Sequence, residues 1–179
     1  GPTQFIWDAK TGIEVLPPHI LANNGSMTRN GEKILVNVDV DGNGISSAAL
    51  VDPVSGLVTN LGSLNGDTCG GSGEIGASSS YGWAVDDSGR SAVGTAYVDV
   101  DKDGYCENSS KPEILPFLWT EKRGIRKLDT RGHDFATEGW MRAQAISGDG
   151  RVALGGTNMS SAQAWIDGGP RIDLWKKFG

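Results

Sequence analysis

Residues 145–157 read AISGDGRVALGGT: a short apolar start, a polar turn closing on Gly150, and then a run of small and apolar residues. An Asp-Gly turn between two such runs marks a pair of strands joined tightly. The same pattern stands at 84–96 (AVDDSGRSAVGTA) and at 26–38 (SMTRNGEKILVNV), in register on Gly89 and Gly31.

A second pattern interleaves with the first. FIWDAKTGIEVL (5–16), ALVDPVSGLVTNL (49–61), FLWTEKRGIRKL (117–128) and AWIDGGPRIDL (164–174) each place large apolar residues before a polar turn. The turns contain Gly12, Gly56, Gly124 and the Gly168-Gly169 pair, and an apolar strand follows each. The order is second pattern, then first and second three times over. It predicts a half unit at 3–20 and three units of four short antiparallel strands at 21–65, 80–130 and 139–176.

Units of this kind cannot bury both faces alone and must stack, which describes an all-β fold, a β-propeller or partial propeller of about 3.5 to 4 blades. Gly31, Gly89 and Gly150 recur at spacings of 58 and 61 residues, longer than the ~40 to 50 of a common blade. Insertions between the halves of a unit and a long connection around Cys69 take up the excess. A β-sandwich would space its strands irregularly instead of duplicating them in order. No stretch has a helical period.

Composition agrees with this reading. Twenty-seven glycines fall with Asn, Asp and Ser into clusters that punctuate short apolar runs in a chain of 179 residues, read as one domain. Sixteen Lys and Arg stand against 22 Asp and Glu, and no basic stripe forms, which argues against a nucleic-acid partner. No window approaches the roughly 18 consecutive apolar residues of a transmembrane helix. The opening Gly1-Pro2 has the form of a cleaved tag junction, so a natural leader could lie upstream.

Two cysteines, Cys69 and Cys106, are too far apart for a paired metal motif. One bridge between them is the favoured reading, the alternative being two buried thiols. A bridge implies an oxidising compartment and is worth about 3 to 4 kcal/mol in the chain-entropy account.

Between the two halves of one unit lies DVDKDGYCE, 99–107, and the preceding unit has DVDGNG, 39–44, at the same address. Alternate carboxylates followed by glycine suit Ca²⁺, which takes six to eight oxygens at about 2.3 to 2.6 Å in a tightly curled loop. Asp99, Asp101 and Asp103 would be ligands, with the Tyr105 carbonyl and Glu107. Asp39, Asp41 and Asn43 would form a second, weaker site. An EF-hand fits poorly, because its twelfth position would be Ser110 in one loop and Leu50 in the other, and no helical pattern flanks either loop. The alternative is a pair of solvated acidic turns. An Asp-x-Asp-x-Asp-Gly-x-x-acid loop between strands resembles the calcium hairpins of the FG-GAP blades in integrin α subunits.

The pairing of AISGDGRVALGG with PFLWTEKRGIRKL resembles the HAF-type extracellular repeats of bacterial proteins. Their units join an Ala-x-x-Ile-Ser-x-Asp-Gly strand to a Phe-Leu-Trp-Thr hairpin. The resemblance covers the three complete units and is clearest in the last two. It implies a propeller in a secreted, cell-surface or periplasmic protein, and leaves activity open.

Trp7, Trp119 and Trp165 occupy the recurrent hairpin strand and are expected in the blade core. Trp83 and Trp140 lie near the first strand of their units, the one nearest a propeller axis, and are the candidates for ligand binding. His19 and His133 are isolated. The stretch RGHDFATEGW gathers His133, Asp134 and Glu138, a potential acid–base group whose simpler reading is a polar surface connection. Asn108-Ser109-Ser110 fits a glycosylation acceptor, and no nucleophile or phosphate-loop motif is present.

The sequence therefore predicts a calcium-binding recognition or scaffold module of an extracytoplasmic bacterial protein. A fragment of a propeller-type polysaccharide lyase or glycoside hydrolase is the competing reading, and a calcium-stiffened spacer of an adhesin is a third. The unpaired half unit predicts association with another copy of the chain or with further blades, since an uncovered sheet edge invites aggregation. A glycan or a protein would be the ligand.

Overall fold

The computed structural model describes residues 5–15, 20–39, 44–64, 77–98, 114–157 and 161–179. Two strands, β1 (Phe5–Asp8) and β2 (Gly12–Val15), form a hairpin. The next four, β3 (Ile20–Met27), β4 (Ile34–Val38), β5 (Ile45–Val51) and β6 (Val58–Gly62), make an antiparallel sheet in chain order, blade A. A short strand β7 (Ala77–Ser78) pairs parallel to the start of β5. Blade B is built from β8 (Ser80–Val85), β9 (Ser91–Tyr97), β10 (Ile114–Thr120) and β11 (Gly124–Lys127). Blade C follows the helical turn α1 (Phe135–Glu138) with β12 (Met141–Ile146), β13 (Val152–Thr157), β14 (Ala162–Ile166) and β15 (Arg171–Asp173). A helical turn α2 (Leu174–Phe178) ends the chain, capped by Asp173 accepting from the Lys176 N–H. Both helical turns are too short to leave a periodic signal.

Local chemistry explains the repetition. In the β3–β4 turn the Thr28 N–H donates to the Lys33 carbonyl and the Gly31 N–H to the Thr28 carbonyl. Asp86, Gly89 and Ser91 repeat both bonds in blade B, and Ser147, Gly150 and Val152 repeat them in blade C. A side-chain oxygen of Thr28, Asp86 or Ser147 accepts from the N–H five residues on in each case. Each turn ends on a glycine at positive φ, +74°, +67° and +73° in turn, which an L side chain adopts only under strain. Asp86 is buried, and its carboxylate is satisfied by the N–H groups of Arg90 and Ser91 and the Ser88 hydroxyl.

Blades A and B close on Leu35, Leu50, Leu61, Val85, Phe117 and Trp119. Blades B and C close on Val93, Leu118, Leu128, Met141, Ala153 and Trp165. Between A and B a buried hydroxyl network adds direction: Ser47 and Ser79 hydroxyls lie 2.8 Å apart, and Ser80 Oγ accepts from the Ala48 N–H and donates to the Gly62 carbonyl. Between B and C the Trp165 indole N–H donates to the Asp129 carbonyl at 2.8 Å.

Trp119 and Trp165 are buried as expected. Trp7 is not: it is 65% exposed, which corrects its assignment to the core. Its hairpin has the same residue pattern, but among the described residues β1 and β2 pair with no other strand, and the groove of about 550 Å³ between this hairpin and blade A is lined in part by Trp7, Met27 and Ile34. Among the described residues no helix is long and apolar enough to cross a membrane.

Candidate ligand-binding site on the innermost strands

The first strand of every blade carries a bulge. Pairing shifts between Leu21 and Ser26 in β3, between Gly82 and Ala84 in β8, and between Ala143 and Ala145 in β12. Trp83 and Gln144 are the residues left without a ladder partner in blades B and C, and they are equivalent when the turns are aligned. A bulge re-aims the side chain it carries and brings the bent backbone close to its neighbour. Gly94 in β9 and Gly155 in β13 make that approach sterically open. A Cβ at Gly94 would collide with the Tyr81 carbonyl, and one at Gly155 with the Arg142 carbonyl.

The bulge in β8 places Trp83 beside blade C. Its indole N–H donates to Thr95 Oγ1 at 2.6 Å, and Thr95 is buried in β9, so the ring is anchored from its polar end. From blade C, Arg142 in β12 lays its guanidinium 3.6 Å from the centroid of the Trp140 ring and 5.3 Å from that of Trp83. These are cation–π distances. Tyr81 and Tyr97 border the same strands, their rings edge to face at 6.0 Å. All five side chains are half-buried.

Electrostatics single out Arg142. Burial pushes its guanidinium below the ordinary arginine value, with the Tyr97 phenol acting in the opposite direction. Among the described residues no carboxylate is paired with it. A desolvated cation is ordinarily paired, and here the two indoles take part of that role. The arrangement leaves the N–H edges of a planar five-donor group available for an acceptor.

The two tryptophans that the sequence marked as ligand candidates are therefore brought together. The residue that joins them, Arg142, was missed. Its signal was present in GWMRAQAIS, where a single cation stands in a strand whose other residues are uncharged, two positions after Trp140.

Of the expected calcium ligands, Asp39 lies among the described residues. Its Oδ2 accepts from the Gly44 N–H at 2.9 Å, closing the loop end to end, with Gly44 at φ +85°. Asp41, Asn43, Asp99, Asp101, Asp103, Tyr105 and Glu107 lie outside the described residues, as do Cys69, Cys106 and His19. Among the described residues no three His, Cys, Asp or Glu side chains gather as a metal site.

His133 proves to be a buried clamp, which corrects its placement on a surface connection. Its side chain is fully buried, with Nδ1 2.7 Å from Glu138 Oε2, Nε2 2.8 Å from the Gly139 carbonyl, and the ring edge-on to Phe135. Both nitrogens are engaged in holding α1 and the approach to β12. Neither is left to act on a substrate.

Stacked four-stranded antiparallel sheets, each with its first strand innermost, define the blades of a β-propeller. No protein-family model matches the chain, and no curated protein matches its sequence. Solved structures do. TolB from Acinetobacter baumannii superposes with a TM-score of 0.55 at 15% identity over 95% of this chain and 37% of its own. A putative TolB from Agrobacterium tumefaciens gives 0.53 at 14% identity, covering 96% of this chain and 58% of its own. A structure from a study of two prolyl endopeptidases gives 0.60 at 10% identity, over 95% of this chain and 25% of its own. At these identities the likeness establishes the propeller fold, and the chain spans 37%, 58% and 25% of the length of these three structures.

Proposed function

We propose that this chain is a recognition module within a β-propeller, and that its ligand docks at the innermost strands of blades B and C. The observation that carries the reading is the convergence of Trp83 and Trp140, 57 residues apart in sequence, on the one guanidinium of Arg142. Propeller ligands enter at the axis, where the first strands lie, and concave sites lined by aromatics with a few placed polar groups are the usual form of a binding site.

Calcium in the loops 39–44 and 99–107, and a Cys69–Cys106 bridge beside the larger one, would stiffen the module and suit a secreted, cell-surface or periplasmic location. Support for the first loop is the Asp39 to Gly44 hydrogen bond, which brings its two ends together, as a tight oxygen-ligated loop requires. The exposed apolar residues of the β1–β2 hairpin support a covering partner, either a second copy or further blades of a longer protein.

The recognition reading is tested by screening the protein against arrayed glycans and short peptides beside Trp83→Ala and Trp140→Ala. Binding that both variants lose supports it. Turnover of a polysaccharide would favour the lyase or hydrolase reading, and neither binding nor turnover would leave a spacer. Titration of EDTA-stripped protein with Ca²⁺ tests the loops: heat and a raised Tm that Asp101→Ala abolishes are expected, and silence at millimolar calcium overturns them.

A further inference from the structure

We infer that Arg142 is an anion receptor, and that the ligand of the inner-strand site is a glycan carrying isolated carboxylates, a hexuronate unit flanked by neutral sugars. The inference rests on the recognition reading and adds the chemistry of what is recognised.

Three observations converge on it. Arg142 is a half-buried cation with no carboxylate partner among the described residues, its guanidinium carbon 3.6 Å from the centroid of the Trp140 ring. A guanidinium that stacks on a ring through one face keeps its fork edge for an acceptor, the edge that grips a carboxylate with two parallel hydrogen bonds. An acceptor entering edge-on carries its attached ring toward the neighbouring indole of Trp83, which Thr95 holds in place. A flat sugar ring with a single carboxylate offers both the charge and the apolar face.

The surroundings discriminate between ligand classes. An extended peptide would add to the edge of β8, but two of the N–H groups there are already used. Gly82 donates to Asn37 Oδ1 at 3.2 Å and Val85 to Ser26 Oγ at 3.2 Å, both from blade A. Strand addition needs such groups free. The net charge of −6 opposes a dense polyanion, so the carboxylates must be spaced by neutral units.

The test is calorimetric titration of the full chain with a hyaluronan tetrasaccharide, in which glucuronate alternates with a neutral amino sugar. Chitotetraose serves as the neutral comparison, and tetra-alanine and its amide as the peptide comparison. Arg142→Met is expected to weaken hyaluronan binding about 10- to 100-fold, the effect of losing a charged hydrogen-bonded pair. Arg142→Lys, which keeps the charge without the fork, is expected to restore only part of it, and unchanged melting would show that both variants fold. Equal binding of chitotetraose, indifferent to Arg142→Met but lost in Trp83→Ala, would overturn the anion receptor while leaving the recognition site intact. Binding of tetra-alanine but not its amide, without hyaluronan binding, would overturn the glycan in favour of a peptide terminus. Absence of binding to every probe would overturn the inference.

Discussion

Phe117 and Trp119 in β10 and Phe5 and Trp7 in β1 occupy matching places in the same hairpin. Phe117 faces Lys127, Trp119 faces Ile125, and the turn closes on Gly124; Phe5 faces Val15, Trp7 faces Ile13, and the turn closes on Gly12. Yet Phe117 and Trp119 are 0% and 7% exposed, while Phe5 and Trp7 are 61% and 65% exposed. The registers agree because turn chemistry and strand alternation act within a dozen residues. The burial differs because blade B has β8 and β9 on the inner side of its hairpin and blade A against its face, whereas among the described residues the β1–β2 hairpin has no inner strands paired to it.

That contrast yields its largest test in paired truncations. Phe117→Ala should cost about 3 to 5 kcal/mol, the usual toll of emptying a core aromatic site, and Trp7→Ala no more than about 0.5 kcal/mol. Denaturant unfolding of both variants measures the difference, and equal losses would show that the N-terminal hairpin is covered in solution.

Glycines sharpen the comparison next. Gly94→Ala drives a methyl into the Tyr81 carbonyl and the Phe117 ring, an overpacking expected to cost at least about 1 to 3 kcal/mol. Gly12→Ala meets no atom within 4 Å and suffers only its φ of +79°, about 1 kcal/mol. If thermal melts rank them the other way, the close approach at the β8 bulge is wrong.

Acid sets the two ends of the chain apart in another way. The Arg131 guanidinium, together with the Arg171 and Arg131 N–H groups, holds the Asp129 carboxyl far below the usual carboxylate range. A carboxyl depressed in the folded state contributes stability above its unfolded value near 4 and loses that contribution as pH falls. Blade C should therefore loosen from blade B in acid, read out by the emission of Trp165, whose indole donates to Asp129. Asp129→Asn should be less stable at neutral pH and respond less below pH 4. The exposed Arg151–Asp167 pair comes last: Arg151→Ala should change stability by no more than about 0.5 kcal/mol, and less in high salt.

Much of the fold was legible before the structure. Of the glycines chosen as turn markers, Gly12, Gly31, Gly56, Gly89, Gly124, Gly150 and the first of the Gly168-Gly169 pair stand at positive φ, and the four-strand grouping follows the two interleaved patterns. Less of the site was legible. Trp83 and Trp140 were marked through their proximity to an innermost strand. Nothing local announced that a bulge would turn Trp83 toward Arg142, because a bulge depends on the small residues of the partner strand, here Gly94. His133 read as surface polarity because its burial comes from packing against Phe135 and the approach to β12.

The sequence by itself determined what a few neighbouring residues can enforce: the turns, the hairpin registers, and the duplication of one unit. Only the tertiary structure decided which apolar faces are covered, that the Ser47, Ser79 and Ser80 hydroxyls stitch blade A to blade B, and that one guanidinium gathers indoles from two blades. The division has a physical cause. Backbone dihedral preferences are local and survive in any context, whereas burial, desolvation and cation–π contact exist only between surfaces that the stacking of sheets brings within a few ångströms.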